Sequence, residues 1–258
     1  MSRLHLAFPR GPLMLAGTLD TAPGASGLLL VSGGNEIRSG AFSGQAALAA
    51  RIAEAGFPVF RFDRSGIGDS DGENRGFRHS AGDIAAALAA FRAIAPQVER
   101  VVGFGNCDAA SALMLGEGAG CDALVLSNPW TIEGADAAPP PEAVRARYAA
   151  KLRSPREVWR LLSGGVDLAK LARGLRQAAR GKGAPTTLAG EMAAGLARFS
   201  GPVRIVLAGA DRTAQEFAQH WDPADPRLHR CERAGHAWAE PHARAFLEEQ
   251  LLAVLRGG

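Results

Sequence analysis

Apolar runs and helical patterns alternate along most of the 258-residue chain. Short apolar runs typical of buried strands are followed by stretches with the apolar spacing of helices. This alternation is typical of a parallel sheet covered by helices on both faces, and the first two strands are predicted to form a hairpin. We predict strands over residues 4–8, 13–19, 27–32, 58–63, 100–105, 123–128, 202–208 and 228–233, and helices over 42–55, 79–94, 107–115, 213–221 and 241–255.

The alternation stops between residues 131 and 199, where no strand-like run occurs. This stretch contains four helical patterns, over 143–152, 156–162, 168–180 and 188–199, and the run AAPPP at 137–141 resembles a hinge. We therefore expect one α/β core formed by residues 1–130 and 200–258, with a helical cap over 131–199. Such a cap would cover the carboxyl ends of the strands, where ligands of parallel sheets bind.

Composition and charge narrow the class of protein. With 47% hydrophobic and 21% charged residues the chain is neither disordered nor fibrous. The net charge is only +3, but residues 142–182 carry eleven Lys and Arg against three Asp and Glu, and the rest of the chain carries 18 against 23. This basic segment would attract an anionic substrate, or it consists of solvated, Arg-rich helix faces. It has few aromatic residues for stacking on bases, so no nucleic-acid partner is expected.

The sequence indicates neither a membrane span nor a leader peptide. No apolar run approaches the roughly 18 residues that a membrane helix needs, and prolines and glycines interrupt the first 19 residues. We expect a cytoplasmic protein of unknown oligomeric state. Three scattered cysteines are too few for a disulfide framework, and no cluster has metal-ligand spacing, so neither a metal nor a cofactor is expected.

The run GFGNCDAA, residues 103–110, lies between a predicted strand and a predicted helix. It follows the Gly-x-Ser-x-Gly pattern of a nucleophile elbow, with Cys107 at the Ser position and Ala109 at the last Gly position. A cysteine that heads a helix is favoured as the thiolate by the helix dipole. The alternative is a buried structural cysteine that follows a glycine turn.

Two further residues complete a possible catalytic set with Cys107. Asp211 follows the strand at 202–208, and His236 follows the next strand, 25 residues later. The carboxyl ends of parallel strands meet at one edge of a sheet, and the order nucleophile, acid, histidine is the one expected with a nucleophile elbow. The alternatives are that Asp211 only caps the following helix and that His236 is a turn residue.

Backbone donors for an oxyanion are predicted in two places. One is the N–H of Asp108, directly after the candidate nucleophile. The other lies in the glycine-containing loop after the strand at 27–32, where Asn35 is favoured and Gly34 comes next. A plain Gly-Gly turn is the alternative there. Glu36 and Arg38 are candidates for the mouth of a pocket.

Residues 63–72, DRSGIGDSDG, resemble the Asp-x-Arg-Gly-x-Gly-x-Ser loop of many α/β-hydrolases, with Ser65 in place of the Arg. More narrowly, the chain resembles the first type of hydrolase associated with exosortase A systems. The resemblance rests on the segments VSGGNEIRSG, FPVFRFDRSGIGDSDG, GNCDAASALML and GADRTAQEF. It implies an α/β-hydrolase fold, a link to exopolysaccharide and protein sorting, and Cys107, Asp211 and His236 as nucleophile, acid and base.

Together these features predict an enzyme that cleaves an ester or thioester of a small acyl compound, with an anionic substrate among the candidates. A covalent acyl-enzyme on Cys107 would be its intermediate. An acyltransferase that passes the acyl group to a saccharide or another alcohol is the second hypothesis. A non-catalytic scaffold with a hydrolase fold is the third.

Overall fold

The structure is a computed structural model that describes residues 2–133 and 187–257. Within these residues one sheet has the strand order β1-β2-β4-β3-β5-β6-β7-β8. The β1–β2 and β2–β4 pairs are antiparallel, and every pairing from β4 through β8 is parallel. The strands are β1 (Arg3–Arg10), β2 (Leu13–Asp20), β3 (Ser26–Val31), β4 (Val59–Phe62), β5 (Arg100–Asn106), β6 (Ala123–Ser127), β7 (Val203–Ala208) and β8 (Leu228–Cys231). The predicted α/β architecture and the opening hairpin are confirmed.

Helices follow the parallel strands as the apolar periodicity predicts. Short 3-10 turns at Ala41–Ser43 and Phe77–His79 precede the first two helices, and a third lies at Glu117–Gly120. In the described part of the chain, no helix has both the length and the apolar character needed to cross a membrane. The described helices are α1 (Gly44–Glu54), α2 (Ala81–Ile94), α3 (Asp108–Leu115), α4 (Thr187–Ala197), α5 (Arg212–His220) and α6 (Pro241–Leu255).

The sheet is buried on both faces, which explains why its central strands read as continuous apolar runs. In β3, Leu28 and Leu30 pack into one core with α1 and α6, whereas Leu29 and Val31 pack into the other core with α2, α3, α4 and α5. Each of these leucines is fully buried, which stabilises the fold by about 1.5–3 kcal/mol per side chain.

The one described helix of the predicted cap packs onto the core. Helix α4 corresponds to the helical pattern at 188–199, and its residues Leu188, Met192 and Leu196 join the buried cluster that contains α3. At Gly195 an added Cβ would lie 2.2 Å from the Met114 carbonyl oxygen, so the two helices are in close contact. The hinge at 137–141 and the other three cap helices lie outside the described residues. The boundaries of the cap therefore stay a prediction.

Candidate active site

Cys107 occupies a strained turn between β5 and α3. Its backbone has φ 62° and ψ −128°, a conformation that costs energy for any residue with a side chain. Its N–H donates to the Ser127 carbonyl on β6, and its own carbonyl accepts from Ala110 in the first turn of α3. A Cβ at Gly105 would lie 2.6 Å from the Ala109 carbonyl carbon, so the strand and the helix approach too closely for any other residue there. The turn has the properties of a nucleophile elbow.

The three cysteines differ in exposure. Cys107 is partly exposed, whereas Cys121 and Cys231 are buried. Burial, reinforced by the neighbouring Asp122 carboxylate, raises the pKa of the Cys121 thiol to about 12. Burial is also the largest cause of the raised pKa of Cys231, with Glu232 and Glu240 adding to it. Thiolate chemistry is therefore suppressed at both buried cysteines.

Asp211 and His236 lie in the loops that follow β7 and β8. Asp211 is buried, and its Oδ2 accepts a hydrogen bond from the Ala214 N–H at the start of α5, at 3.2 Å. The same oxygen lies 2.9 Å from His236 Nδ1. Both interpretations of Asp211 thus describe the structure, since it caps the helix and also binds the imidazole.

The charge of His236 depends on both of its neighbours. The pKa of His236 is raised to about 10. The hydrogen bond to Asp211 is the largest cause, and an interaction with the Cys107 side chain is the second. Burial acts in the opposite direction. The imidazolium is therefore the favoured form at neutral pH. The structure brings the side chains of residues 107, 211 and 236 together at one edge of the sheet.

A partly buried hydrogen-bond network holds the loop that carries His236. Asn106 Nδ2 donates to the His236 carbonyl oxygen at 3.2 Å, and Asn106 Oδ1 accepts from Ser127 Oγ at 2.8 Å and from Asn128 Nδ2 at 3.0 Å. Trp238 Nε1, two residues beyond the histidine, donates to Ser127 Oγ at 2.9 Å. The network joins β5, β6 and the histidine loop, so the backbone around His236 is held by side chains of two neighbouring strands.

Sequence reasoning did not single out these four residues. A signal for them was present, because Asn106, Ser127 and Asn128 are polar residues at the carboxyl ends of otherwise apolar strands. Polar groups at that edge of a parallel sheet either serve the site or stabilise its loops.

The predicted oxyanion donors lie close together but are not equally free. The Gly34 N–H donates to Asp108 Oδ1 at 2.6 Å, so this donor is already engaged. In the part of the chain that the structure describes, neither the Asn35 N–H nor the Asp108 N–H donates to a backbone acceptor. A Cβ at Gly33 would lie 2.6 Å from the Asn106 carbonyl oxygen, so the loop packs tightly against the elbow. Of the three predicted donors, the N–H groups of Asn35 and Asp108 are therefore the ones without a backbone acceptor among the described residues.

The loop at 63–72 stabilises the same edge of the sheet. The Asp63 carboxylate pairs with the Arg38 guanidinium, which also contacts Asp69 at 2.9 Å. Arg38 is thus used in this loop and does not line the described cavity beside His236, whereas Glu36 does. Ser65, which replaces an Arg of the family pattern, binds Asp83 through its N–H at 2.8 Å and its Oγ at 2.9 Å.

A cavity of about 250 Å3 opens beside His236. Leu48, Phe104 and Trp238 form part of its apolar wall, and Arg51 and Arg244 contribute charge. Arg51 is paired with Glu248 at 2.7 Å, whereas Arg244 is exposed and makes no ion pair within residues 2–133 and 187–257. Among those residues no group of three or more His, Cys, Asp or Glu side chains is arranged to hold a metal ion. The cavity can admit a small organic group next to the imidazole.

Comparisons with known proteins agree with this architecture. The model of the family described as "Alpha/beta hydrolase family" matches residues 28–249. A search of curated proteins found no match.

Several solved structures share the fold. They include the alpha/beta hydrolase GrgF from Penicillium sp. sh18, with 17% identity, 97% of each chain covered and a TM-score of 0.64. The Pyrococcus furiosus esterase Pf2001 has 12% identity, a TM-score of 0.60 and coverage of 99% of this chain and 90% of the esterase. Est1E from Butyrivibrio proteoclasticus, solved with ferulic acid, has 14% identity, a TM-score of 0.55 and coverage of 96% of this chain and 99% of Est1E. At these identities the likeness shows the fold, and because the family model spans most of the sequence, this chain belongs to the alpha/beta hydrolase family.

Proposed function

We propose that the protein is a cysteine hydrolase that cleaves an ester or thioester through a covalent acyl-enzyme. Cys107 is the nucleophile, His236 the acid and base, and Asp211 the residue that orients the imidazole. One observation carries the proposal. A partly exposed cysteine at a strained elbow adjoins a histidine whose Nδ1 lies 2.9 Å from a buried carboxylate.

The first half of the reaction forms the acyl-enzyme. His236 holds the proton of Cys107, and the thiolate Sγ attacks the carbonyl carbon, whose π electrons move to the oxygen. The N–H groups of Asn35 and Asp108 stabilise this oxyanion, each by about 3–4 kcal/mol in the transition state. The carbonyl then re-forms, the bond to the leaving oxygen or sulfur breaks, and His236 gives its proton to the leaving group.

The second half restores the enzyme. Neutral His236 takes a proton from water, the hydroxide oxygen attacks the thioester carbonyl, and Sγ leaves as the thiolate. The imidazolium is thereby regenerated and the acid is released. An amide is a poorer substrate, because the thiolate is expelled from the tetrahedral intermediate more readily than an amine.

The cavity beside His236 supports acyl transfer as a second candidate function. The proton that His236 gives or takes belongs to the leaving or accepting group, so that group must sit on the histidine side. There Glu36, Gln45 and Arg244 offer polar contacts. An alcohol with several hydroxyls would suit such a lining. The resemblance to exosortase A-associated hydrolases favours a saccharide of exopolysaccharide metabolism as that alcohol.

Intact-mass spectrometry tests the nucleophile directly. Brief treatment of the protein with a p-nitrophenyl butyrate excess, followed by acid quenching, should add one butyryl group at Cys107. Iodoacetamide at low excess should label Cys107 before Cys121 and Cys231, because only Cys107 combines exposure with a neighbouring imidazolium.

Two variants serve as controls. His236→Ala should slow the labelling of Cys107, and Cys231→Ser should leave it unchanged. Equal labelling of all three thiols, or butyryl transfer that survives Cys107→Ala, would refute the proposed nucleophile and favour a scaffold.

A further inference from the structure

A second cavity, of about 230 Å3, lies between the loop after β4 and the start of α2. Within the described residues it shares no lining residue with the cavity beside His236. Most of its lining residues are polar or charged, with three arginines (Arg10, Arg64 and Arg75) against two carboxylates (Glu73 and Asp83). Nothing in the reaction outlined above uses this space.

One of the two carboxylates in this wall is already neutralised. Asp83 is buried, accepts both the N–H and the hydroxyl of Ser65, and pairs with Arg10 Nε at 2.9 Å. This leaves Arg64, which also pairs with Asp108 at 3.7 Å, and Arg75 against the exposed Glu73. Across residues 2–133 and 187–257, Arg75 makes no ion pair. Among the residues that line the cavity, arginines therefore outnumber carboxylates by one.

Arg64 has a hydrogen-bond donor without an acceptor, which is an observation independent of the charge of the wall. Its side chain is only 4% exposed, yet its Nε is buried without a hydrogen-bond acceptor among the residues described. One Nη donates to the Gly34 carbonyl, and the Asp108 carboxylate lies 3.7 Å away, beyond hydrogen-bond distance. A buried guanidinium donor without an acceptor is unfavourable. Arg64 also lines the cavity, and a guanidinium there favours an oxyanion as its neighbour.

The cavity wall is joined to the candidate active site. Asn74 donates to the Asn35 side chain at 2.8 Å, and Arg64 binds the carbonyl of Gly34. These are the residues of the loop after β3 that lies against the elbow. The wall of this cavity and the loop beside the elbow are therefore held together by direct hydrogen bonds.

We propose that this cavity binds a carboxylate or phosphate group carried by the substrate, held by Arg64 and Arg75. The site itself stands on the cavity, and only the identification of its occupant as part of an acyl substrate rests on the proposed function. Guanidinium groups bind both oxyanions through paired N–H donors, so the two share one recognition chemistry.

Binding can be measured without turnover by using Cys107→Ala protein. The 31P line width of inorganic phosphate should broaden saturably as protein is added, and glutarate should reverse the broadening. Arg75→Ala, which changes an exposed side chain, should weaken binding at least tenfold, and so should Arg64→Lys. Arg92→Ala removes the same charge near the opposite end of α2 and should leave the affinity unchanged.

Each outcome decides the proposal. Saturable binding that Arg75→Ala abolishes supports it, and separate phosphate and glutarate titrations then show which group fits better. Non-saturable broadening, or equal loss in Arg75→Ala and Arg92→Ala, overturns it. Because the measurement omits the thiol, failed acylation of Cys107 with intact phosphate binding would refute the proposed function alone, and the reverse result would refute only this site.

Discussion

The two cavities differ in the side chains that line them. The cavity beside His236 has an apolar wall of Leu48, Phe104 and Trp238, and its charged residues include Glu36 as well as arginines. The cavity at Arg64 is lined mainly by polar and basic side chains and contains a buried guanidinium with an unpaired donor. From this difference we expect the departing or accepting alcohol to bind in the cavity beside His236 and an anionic group to bind in the cavity at Arg64.

If the two cavities have these separate roles, turnover and phosphate binding can be changed independently. Changes on the histidine side should alter turnover and leave phosphate binding intact. Arg75→Ala on the arginine side should weaken phosphate binding and leave turnover of the uncharged p-nitrophenyl butyrate intact. Four substitutions or conditions, beginning with the largest expected effect, test how far that separation holds.

Replacing His236 by Ala should lower ester turnover by on the order of 10^3-fold or more, because both proton transfers lose their carrier. Phosphate affinity in the Arg64 cavity should not change. Steady-state kinetics with p-nitrophenyl butyrate and 31P titration of the same preparation measure the two effects. Wild-type turnover in this variant would remove His236 from the mechanism.

Replacing Asn106 by Ala should lower turnover by roughly tenfold and cost about 1–3 kcal/mol of unfolding free energy. The change removes the donor to the His236 carbonyl and leaves Ser127 and Asn128 without their acceptor. Urea unfolding and kinetics check the two effects.

The control for this variant is Gln97→Ala, which deletes an exposed amide bound to the Ala22 carbonyl. It should change neither quantity appreciably. If kcat of Asn106→Ala stays at the wild-type value while stability falls, the network serves folding alone.

The raised pKa of His236 predicts how stability depends on pH. Folded His236 keeps its proton up to about pH 10, whereas in the unfolded chain it titrates near pH 6.5. The stabilisation by Asp211 and Cys107 is therefore fully present below about pH 6.5 and is lost as the pH rises towards 10. The difference in Tm between wild type and His236→Gln should shrink over this range. A difference that grows with pH would contradict the charge assignment.

Replacing Arg244 by Ala should have the smallest effect. This exposed residue lines the His236 cavity, so its loss should raise KM for an alcohol acceptor by only about two- to fivefold. Phosphate binding at Arg64 should be unaffected. A parallel loss in both measurements would mean that the two cavities act as one.

Much of this arrangement could be predicted from the sequence. The spacing of apolar residues and the turn residues predicted the parallel strands. Parallel strands place the ends of β5, β7 and β8 at one edge of the sheet. Cys107, Asp211 and His236, which follow these strands, could therefore be grouped. The family model and the sheet confirm the α/β-hydrolase fold. The roles of the three residues stay predictions.

What could not be predicted depends on packing between distant segments. Arg10 on β1 pairs with Asp83 in α2, although β2, β3, α1 and β4 lie between them in the sequence. The burial of Arg64 depends on the path of the loop after β3. Ser127 reaches Asn106 only because β5 and β6 are neighbours in register. Such contacts arise from three-dimensional proximity, which local periodicity does not encode.

One carboxylate oxygen of Asp211 receives two donors, the Ala214 N–H and the His236 ring. The same oxygen atom therefore caps the start of the helix and orients the imidazole. In a relative without catalytic activity, an aspartate at this position would still stabilise the start of the helix. An aspartate there is therefore weaker evidence of activity than a histidine at the position of His236.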